Sequence, residues 1–158
     1  MEITLYKGEW YVWSLFVFWI LTVLLMPKKN LTWVGVLVTF GVTSSITWFC
    51  DTLIGSAFDL FDLSKTNAVE LSDSILVTFV PACIVTVYVN YLDLKRKWVY
   101  AFFFTLLSFG LEWVLVKVGY MRNKNWNTLY SIPVYFIFFA FFFPWLLRMI
   151  SKKEVNLR

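Results

Sequence analysis

Five apolar segments, separated by short charged or polar stretches, leave this chain few folds to adopt. They cover residues 10–26, 31–54, 74–91, 98–119 and 129–150. A helix needs roughly 17–25 predominantly apolar residues to cross the hydrocarbon core of a bilayer, and the five segments have about these lengths. We therefore expect residues 1–158 to form one all-α domain, an integral membrane protein with about five transmembrane helices.

The composition supports a protein that lies in lipid rather than in water. Hydrophobic residues make up 60% of the chain and charged residues only 15%, whereas soluble domains contain roughly 45–50% apolar and about 25% charged residues. The net charge is +4, but the basic residues stand in small clusters beside the apolar segments, where they orient a membrane protein. We therefore expect the lipid bilayer as the main partner, and no nucleic acid.

The charged residues between the segments predict the direction of the helices. With five spans, one side of the membrane carries nine basic and two acidic residues, and the other carries five basic and eight acidic residues. The basic side comprises Lys28, Lys29, Lys95, Arg96, Lys97, Arg148, Lys152, Lys153 and Arg158, with Asp93 and Glu154. Because basic residues are retained on the cytoplasmic side, we expect the N-terminus outside and the C-terminus in the cytoplasm.

Two loops of opposite charge then share the outer surface. The longest connection, residues 55–73, is acidic, and its stretch 58–63 is compatible with a short interfacial helix or a turn. The loop 120–128 is basic, polar and aromatic. Two interpretations stay open: the loops pair with each other, or the basic loop binds an anionic headgroup or solute.

Polar and small residues recur at helical spacing in three of the segments. The stripes comprise Gly35, Thr39, Thr43, Thr47 and Asp51; Thr78, Ala82, Thr86 and Asn90; and Ala101, Thr105, Ser108 and Glu112. Such stripes serve either close helix packing or a hydrated cavity. The first and fifth segments are almost wholly apolar, so we expect helices two, three and four to surround a polar interior, with helices one and five facing lipid.

Glu112 is the sharpest feature of these stripes. It lies roughly 21 Å along its helix from Trp98, about 9 Å short of the outer surface. An ionised acid at that depth is costly, so it is paired, hydrated or protonated. Lys117 is on a different face of the same helix, and we expect its side chain to extend outward past Trp113. The partner of Glu112 therefore comes from another helix or from a ligand.

Two further acids flank the same half of the membrane. Asp51 and Asp73 stand at helix ends, where they either cap the helix or supply a second carboxylate that shares a proton with Glu112. The candidate ligand- or ion-binding residues are Glu112, Asp51, Ser108, Thr105, Thr47 and Asp73.

The sequence lacks the residue types and motifs on which most enzymes depend. The chain contains no histidine, which removes the commonest general base and the commonest metal ligand. Cys50 and Cys83 are far apart, form no CxxC motif, and suit apolar packing. We also find no nucleophile–base set and no phosphate-binding motif. We therefore expect no catalytic residues, no cofactor and no metal site.

Several aromatic-rich motifs are shared with a known group of proteins. They are Gly110-Leu111-Glu112-Trp113, Val118-Gly119-Tyr120, Asn125-Trp126, Ile132-Pro133-Val134-Tyr135, Leu60-Phe61-Asp62, Val80-Pro81 and Tyr88-Val89-Asn90-Tyr91. With them the chain resembles, over most of its length, a family of uncharacterised small multipass membrane proteins of spore-forming Firmicutes. The resemblance implies a bacterial plasma-membrane protein of about five spans. It implies no activity.

The sequence supports two alternative functions about equally. In the first, the protein binds or transports a cation, a proton or a small polar solute through a site around Glu112 in the outer half of the membrane. In the second, it is a non-catalytic accessory, sensory or scaffold subunit that packs on a membrane-protein partner or on copies of itself, and Glu112 completes a buried polar network. A membrane enzyme is the least favoured alternative.

Overall fold

The fold comes from a computed structural model, which describes residues 8–63 and 71–151. Its main helices are α1 (Glu9–Leu25), α2 (Trp33–Asp51), α3 (Leu71–Tyr91), α4 (Lys97–Lys117), α5 (Ser131–Ile137) and α6 (Phe143–Ile150). Wide π-helical turns extend α2 over Thr52–Ala57 and join α5 to α6 over Phe138–Phe142. Two short strands, β1 (Phe61–Leu63) and β2 (Met121–Asn123), and two 3₁₀ turns, Leu94–Arg96 and Thr128–Tyr130, complete the described elements.

The predicted helical membrane architecture is confirmed in its coarse form. Four helical segments are long and apolar enough to cross a membrane, namely Trp33–Gly55, Leu71–Tyr91, Leu94–Lys117 and Thr128–Ile150. The first apolar helix, Glu9–Leu25, is shorter, with 17 residues. The chain is therefore a helical protein built for a membrane environment. Of the predicted external loop 55–73, residues 64–70 lie outside the described residues, as do Lys152, Lys153, Glu154 and Arg158 of the basic side.

The central helix is α3, and the other helices pack around it in two groups. Most of the side chains along α3 are buried. The other long helices leave large apolar side chains exposed, as lipid-facing helices do. Helices α1 and α2 pack along α3. Helix α4 packs against α5 and the π-helical turn, and this second group contacts α3 mainly through α6.

This arrangement differs from the predicted polar interior between helices two, three and four. The fifth span packs along α4, and α1 buries Val12, Leu15, Trp19 and Val23 in the core. The reason is local hydrogen bonding. The hydroxyls of Thr39 and Thr86 donate to carbonyls four residues earlier in their own helices, over 2.8 and 2.7 Å. A threonine satisfied in this way needs no polar neighbour, so its stripe does not identify the facing helix.

At one end of the bundle, which we call the basic end (residues 26–32 and 90–97), Asn90 fastens the α1–α2 hairpin to α3. Its side-chain oxygen accepts hydrogen bonds from the backbone N–H groups of Lys29 and Leu31, over 2.9 and 3.4 Å. Its amide donates to the carbonyl of Pro27 over 2.8 Å. Asn30 returns the contact by donating to the carbonyls of Val89 and Leu92. Asn90 itself is fully buried.

At the opposite end, which we call the loop end (residues 58–63 and 119–130), the two loops pair, as one of the two interpretations expected. Strands β1 and β2 are antiparallel, with Asp62 opposite Arg122. Residues 61–63 are thus a strand rather than the helix or turn that their pattern suggested. The carbonyl of Leu60 accepts three consecutive N–H groups, from Lys124, Asn125 and Trp126, over 3.0–3.1 Å.

Ion pairs add to this pairing at the surface. The Lys124 ammonium lies 2.6 Å from Asp59 and 3.0 Å from Asp62. Donating hydrogen bonds to these carboxylates raises the pKa of Lys124 above its ordinary value, so the ammonium keeps its charge at physiological pH. Exposed ion pairs stabilise a fold only slightly, so the backbone bonds to Leu60 carry most of the connection.

We therefore expect Lys124→Ala to leave the two loops paired and Lys124→Glu to separate them. The alanine removes two exposed ion pairs but none of the backbone hydrogen bonds, whereas the glutamate puts a third negative charge beside Asp59 and Asp62. Hydrogen exchange at the amides of residues 121–126 measures the effect. Exchange should accelerate by less than about tenfold for the alanine variant and clearly more for the glutamate variant. Equal acceleration in both would show that the ion pairs, not the backbone, hold the loops.

Candidate functional site

A cavity of about 280 Å³ separates the two helix groups. Helices α2 and α3 form one wall, and α4, α5 and the start of α6 form the other. Phe61 and Leu63 of β1 and Met121 of β2 line it at the loop end, so the paired strands cover that side. Most of its lining is apolar, which makes the few polar side chains in it stand out.

Glu112 is the central polar residue of this cavity. Its side chain is buried, with 8% of the residue exposed. The hydroxyl of Ser131 donates to one carboxylate oxygen over 2.7 Å, and the hydroxyl of Tyr135 donates to the other over 2.6 Å. The indole N–H of Trp126 in turn donates to the Ser131 hydroxyl over 3.2 Å. Neutral donors therefore hold both oxygens of the acid in place.

The start of the last span places these donors. The side chain of Asn127 accepts a hydrogen bond from the Leu129 N–H and begins a 3₁₀ turn over Thr128–Tyr130, which leads directly into α5 at Ser131. Ser131 and Tyr135 are four residues apart, so they lie on one face of α5. This face is turned toward α4, and Glu112 meets both hydroxyls.

Asp51 supplies a second carboxyl group to the same cavity. It is the last residue of α2, half-buried, directly before the wide turn over Thr52–Ala57. Within residues 8–63 and 71–151, no hydrogen-bond donor reaches its carboxylate. One turn earlier, Thr47 also lines the cavity, but its hydroxyl donates to the Val77 carbonyl of α3 over 2.7 Å and so joins the two helices.

Thr43 places a fully buried hydroxyl, without a hydrogen-bond partner among the described residues, in the wall of the cavity. It is 1% exposed and lines the cavity, yet its hydroxyl has no hydrogen bond to any part of the chain that the structure describes. Other threonines of the helices, such as Thr22, Thr39 and Thr86, donate to the carbonyl four residues earlier. A buried hydroxyl without a partner costs roughly 1–3 kcal/mol, so an acceptor or donor from a ligand would be favourable here.

The remaining candidates divide between the cavity and its surroundings. Ser108, one turn from Glu112 on α4, lines the cavity. Thr105 is buried but lies outside the lining, and its hydroxyl, like that of Thr43, has no partner among the described residues. The structure thus brings Glu112, Asp51, Ser108 and Thr47 together around one cavity.

Asp73 does not belong to this group. It is buried at the start of α3 and accepts a hydrogen bond of 2.6 Å from the hydroxyl of Tyr120, so it ties α3 to the loop end. Burial first, and then the bond to Asp73, raise the pKa of Tyr120, which therefore stays neutral. Asp73 is not among the residues lining the cavity.

The partners of Glu112 were missed because helix five was expected to face lipid. The sequence signal against a wholly lipid-facing helix five was the pair Ser131 and Tyr135. Two hydroxyl groups at four-residue spacing in an otherwise apolar segment favour one buried face. Lys117, by contrast, is placed as expected, with its ammonium 5.2 Å from the ring centre of Trp113. In the described ranges, no group of three or more cysteine, aspartate or glutamate side chains could hold a metal ion.

Comparison with known proteins identifies no relative, so the site is interpreted from its own geometry. No protein-family model matches the chain, and no curated protein and no solved structure gives a significant match.

Proposed function

We propose that this protein binds a small cation, or a small solute that carries a positive charge, in the membrane cavity around Glu112. One observation carries the proposal: two carboxyl groups, Glu112 and Asp51, line one largely apolar cavity. Among residues 8–63 and 71–151, no lysine or arginine is in ion-pair contact with either of them. A carboxylate in such surroundings is stabilised by a positive charge that enters from outside the chain.

The proposal includes an orientation and a place in the cell. The basic end carries Lys28, Lys29 and Lys97, each with its ammonium over an aromatic ring at 4.2–5.0 Å, an arrangement typical of a membrane interface. The excess of basic residues at this end supports a cytoplasmic location. The chain would then cross the membrane five times with its loop end outside. By resemblance, it would belong to the plasma membrane of a spore-forming bacterium.

The deciding experiment compares Glu112→Gln with Asp93→Asn. Both substitutions replace a carboxylate with an amide, but Asp93 lies at the basic end and is not among the residues that line the cavity. There its side chain accepts a hydrogen bond from the Lys95 N–H. The full-length protein in nanodiscs is titrated with methylammonium and with phenethylammonium, and binding is measured by calorimetry against empty nanodiscs.

We expect at least one of the two ions to bind, with an affinity that falls by about tenfold or more in Glu112→Gln, because the amide removes the charge that attracts the cation. Asp93→Asn should bind like the unaltered protein. If neither ion binds, or if both variants bind alike, the cation-binding proposal is wrong.

A second candidate function follows from the same contacts. Both oxygens of Glu112 already have hydroxyl partners, which also suits a structural acid in an accessory or scaffold subunit of a membrane complex. In that case Glu112→Gln lowers the melting temperature, because the two hydroxyls lose a charged acceptor, and a co-purifying membrane protein is lost with it. Binding of either ammonium ion would not depend on Glu112.

A further inference from the structure

The cavity has more room than an inorganic cation needs. Its volume is about 280 Å³, whereas a cavity of roughly 150 Å³ already admits benzene, with its six carbon atoms. By proportion, the space suits a ligand of about ten non-hydrogen atoms. A bare or hydrated metal ion would leave most of the apolar wall without contact.

The polar and apolar side chains that line the cavity are concentrated in different parts of it. Ser131 and Tyr135 bring α5 to Glu112. Continuing along the same span, Phe139 and Phe143 line the cavity one and two helical turns farther from the loop end. Ile84 and Val85 of α3 face the same compartment. Glu112 is therefore followed, toward the basic end, by an apolar compartment with aromatic walls.

The acid can still accept further hydrogen bonds. A carboxylate offers about four lone-pair positions, and two are used by Ser131 and Tyr135. An ammonium N–H would fit one of the remaining positions. The unpartnered hydroxyl of Thr43, buried in the wall contributed by α2, offers a second acceptor that nothing in the described chain uses.

The geometry points to an amphiphilic organic ammonium ion as the ligand of this cavity, with its charged nitrogen at Glu112 and Thr43 and its hydrocarbon part against Phe139 and Phe143. This inference rests on the proposed cation-binding function and adds the class of ligand. An anion is opposed by Glu112 and Asp51, and a neutral hydrocarbon would leave the carboxylates without a counter-charge. Aromatic side chains also attract an ammonium group through their π faces.

Three probes of graded chemistry test the inference with the full chain in nanodiscs of zwitterionic lipid. Phenethylammonium has both the charge and the hydrocarbon part. Methylammonium keeps the charge alone, and 2-phenylethanol keeps the size and the ring without the charge. Calorimetry against empty nanodiscs corrects for partitioning into lipid. We expect phenethylammonium to bind about tenfold or more tightly than either of the other two, because only it uses both parts of the cavity.

Two cavity variants locate the two parts of the ligand. Thr43→Val has nearly the same shape and removes the unpartnered hydroxyl, so it should weaken phenethylammonium roughly three- to tenfold while leaving the melting temperature unchanged or higher. Ser108→Phe fills the space one turn from Glu112. It should weaken phenethylammonium about tenfold or more, because the added ring occupies space that the hydrocarbon part of the ligand needs.

The outcomes separate this inference from the function on which it rests. If methylammonium binds as tightly as phenethylammonium and both depend on Glu112, the cation site stands and the amphiphilic ligand class is overturned. If 2-phenylethanol binds as well as phenethylammonium and Glu112→Gln changes neither, the cavity is a plain apolar pocket and both proposals fail. Weaker binding of both ammonium ions in Thr43→Val, in a protein that melts normally, would support the placement of the nitrogen, and unchanged binding of both would overturn that placement.

Discussion

Replacing Asn90 with leucine is expected to lower the free energy of unfolding by about 3–5 kcal/mol, because several buried backbone groups lose their partner at once. The N–H groups of Lys29 and Leu31 lose their acceptor, and the carbonyl of Pro27 loses its donor. Each unsatisfied group costs roughly 1–3 kcal/mol when it stays out of water. Unfolding in mixed micelles of increasing denaturing detergent measures the change.

The matched control is Thr86→Val, one turn earlier on the same helix. Thr86 is as fully buried as Asn90, but its hydroxyl bonds only within α3, to the carbonyl of Ala82. Valine keeps the shape, and we expect a loss of about 1 kcal/mol or less. If the two variants unfold alike, the bonds of Asn90 to the α1–α2 hairpin do not stabilise the fold as their number suggests.

Tyr88→Ala is expected to cost about 3–5 kcal/mol, for a different reason. Tyr88 is fully buried where the two helix groups meet, and its ring centre lies 5.2 Å from that of Phe104 and 4.9 Å from that of Phe139. Its hydroxyl donates to the Phe139 carbonyl in the wide turn. Alanine removes both the aromatic contacts and this bond, and it leaves a cavity that rigid neighbouring helices fill poorly.

Two comparisons divide this effect into its parts. Tyr88→Phe keeps the ring and should cost only about 1 kcal/mol, the value of one hydrogen bond. Phe103→Ala removes an aromatic ring that is 60% exposed, and it should change the unfolding midpoint little. Detergent unfolding and hydrogen exchange across α4 and α6 provide the measurements. A large loss in Tyr88→Phe would mean that the hydroxyl, rather than ring packing, joins the groups.

The parts of the fold that follow from local sequence could be predicted. Apolar length marks each span, and predicted segments such as 98–119 and 129–150 lie close to the observed Leu94–Lys117 and Thr128–Ile150. Glu112 stood out because a carboxyl group deep in an apolar segment is unusual whatever surrounds it. Lys117 and Trp113 are neighbours on one helix, so their contact also follows from spacing.

The arrangement of the helices depends on contacts that spacing does not encode. Thr39 and Thr47 look alike in the stripe of α2, yet one bonds within its helix and the other also reaches α3. Tyr135 looks like one more aromatic residue in an apolar span until α5 is placed beside α4. The pairing of β1 with β2 joins residues about sixty positions apart. Such contacts are set by the packing of the whole bundle.

The wide turn over Phe138–Phe142 has a consequence for how this chain tolerates changes in length. A π-helical turn accommodates one residue more than an α-helical turn, and it is followed by α6, where Leu146 and Leu147 are buried and Trp145 and Met149 are exposed. Deleting a single residue there would remove the extra residue and restore a regular helix, and α6 would keep nearly the same face toward the core. A deletion in a regular α-helical part of the span would instead rotate everything after it by about 100°. Single-residue deletions in this span should therefore be tolerated best within 138–142.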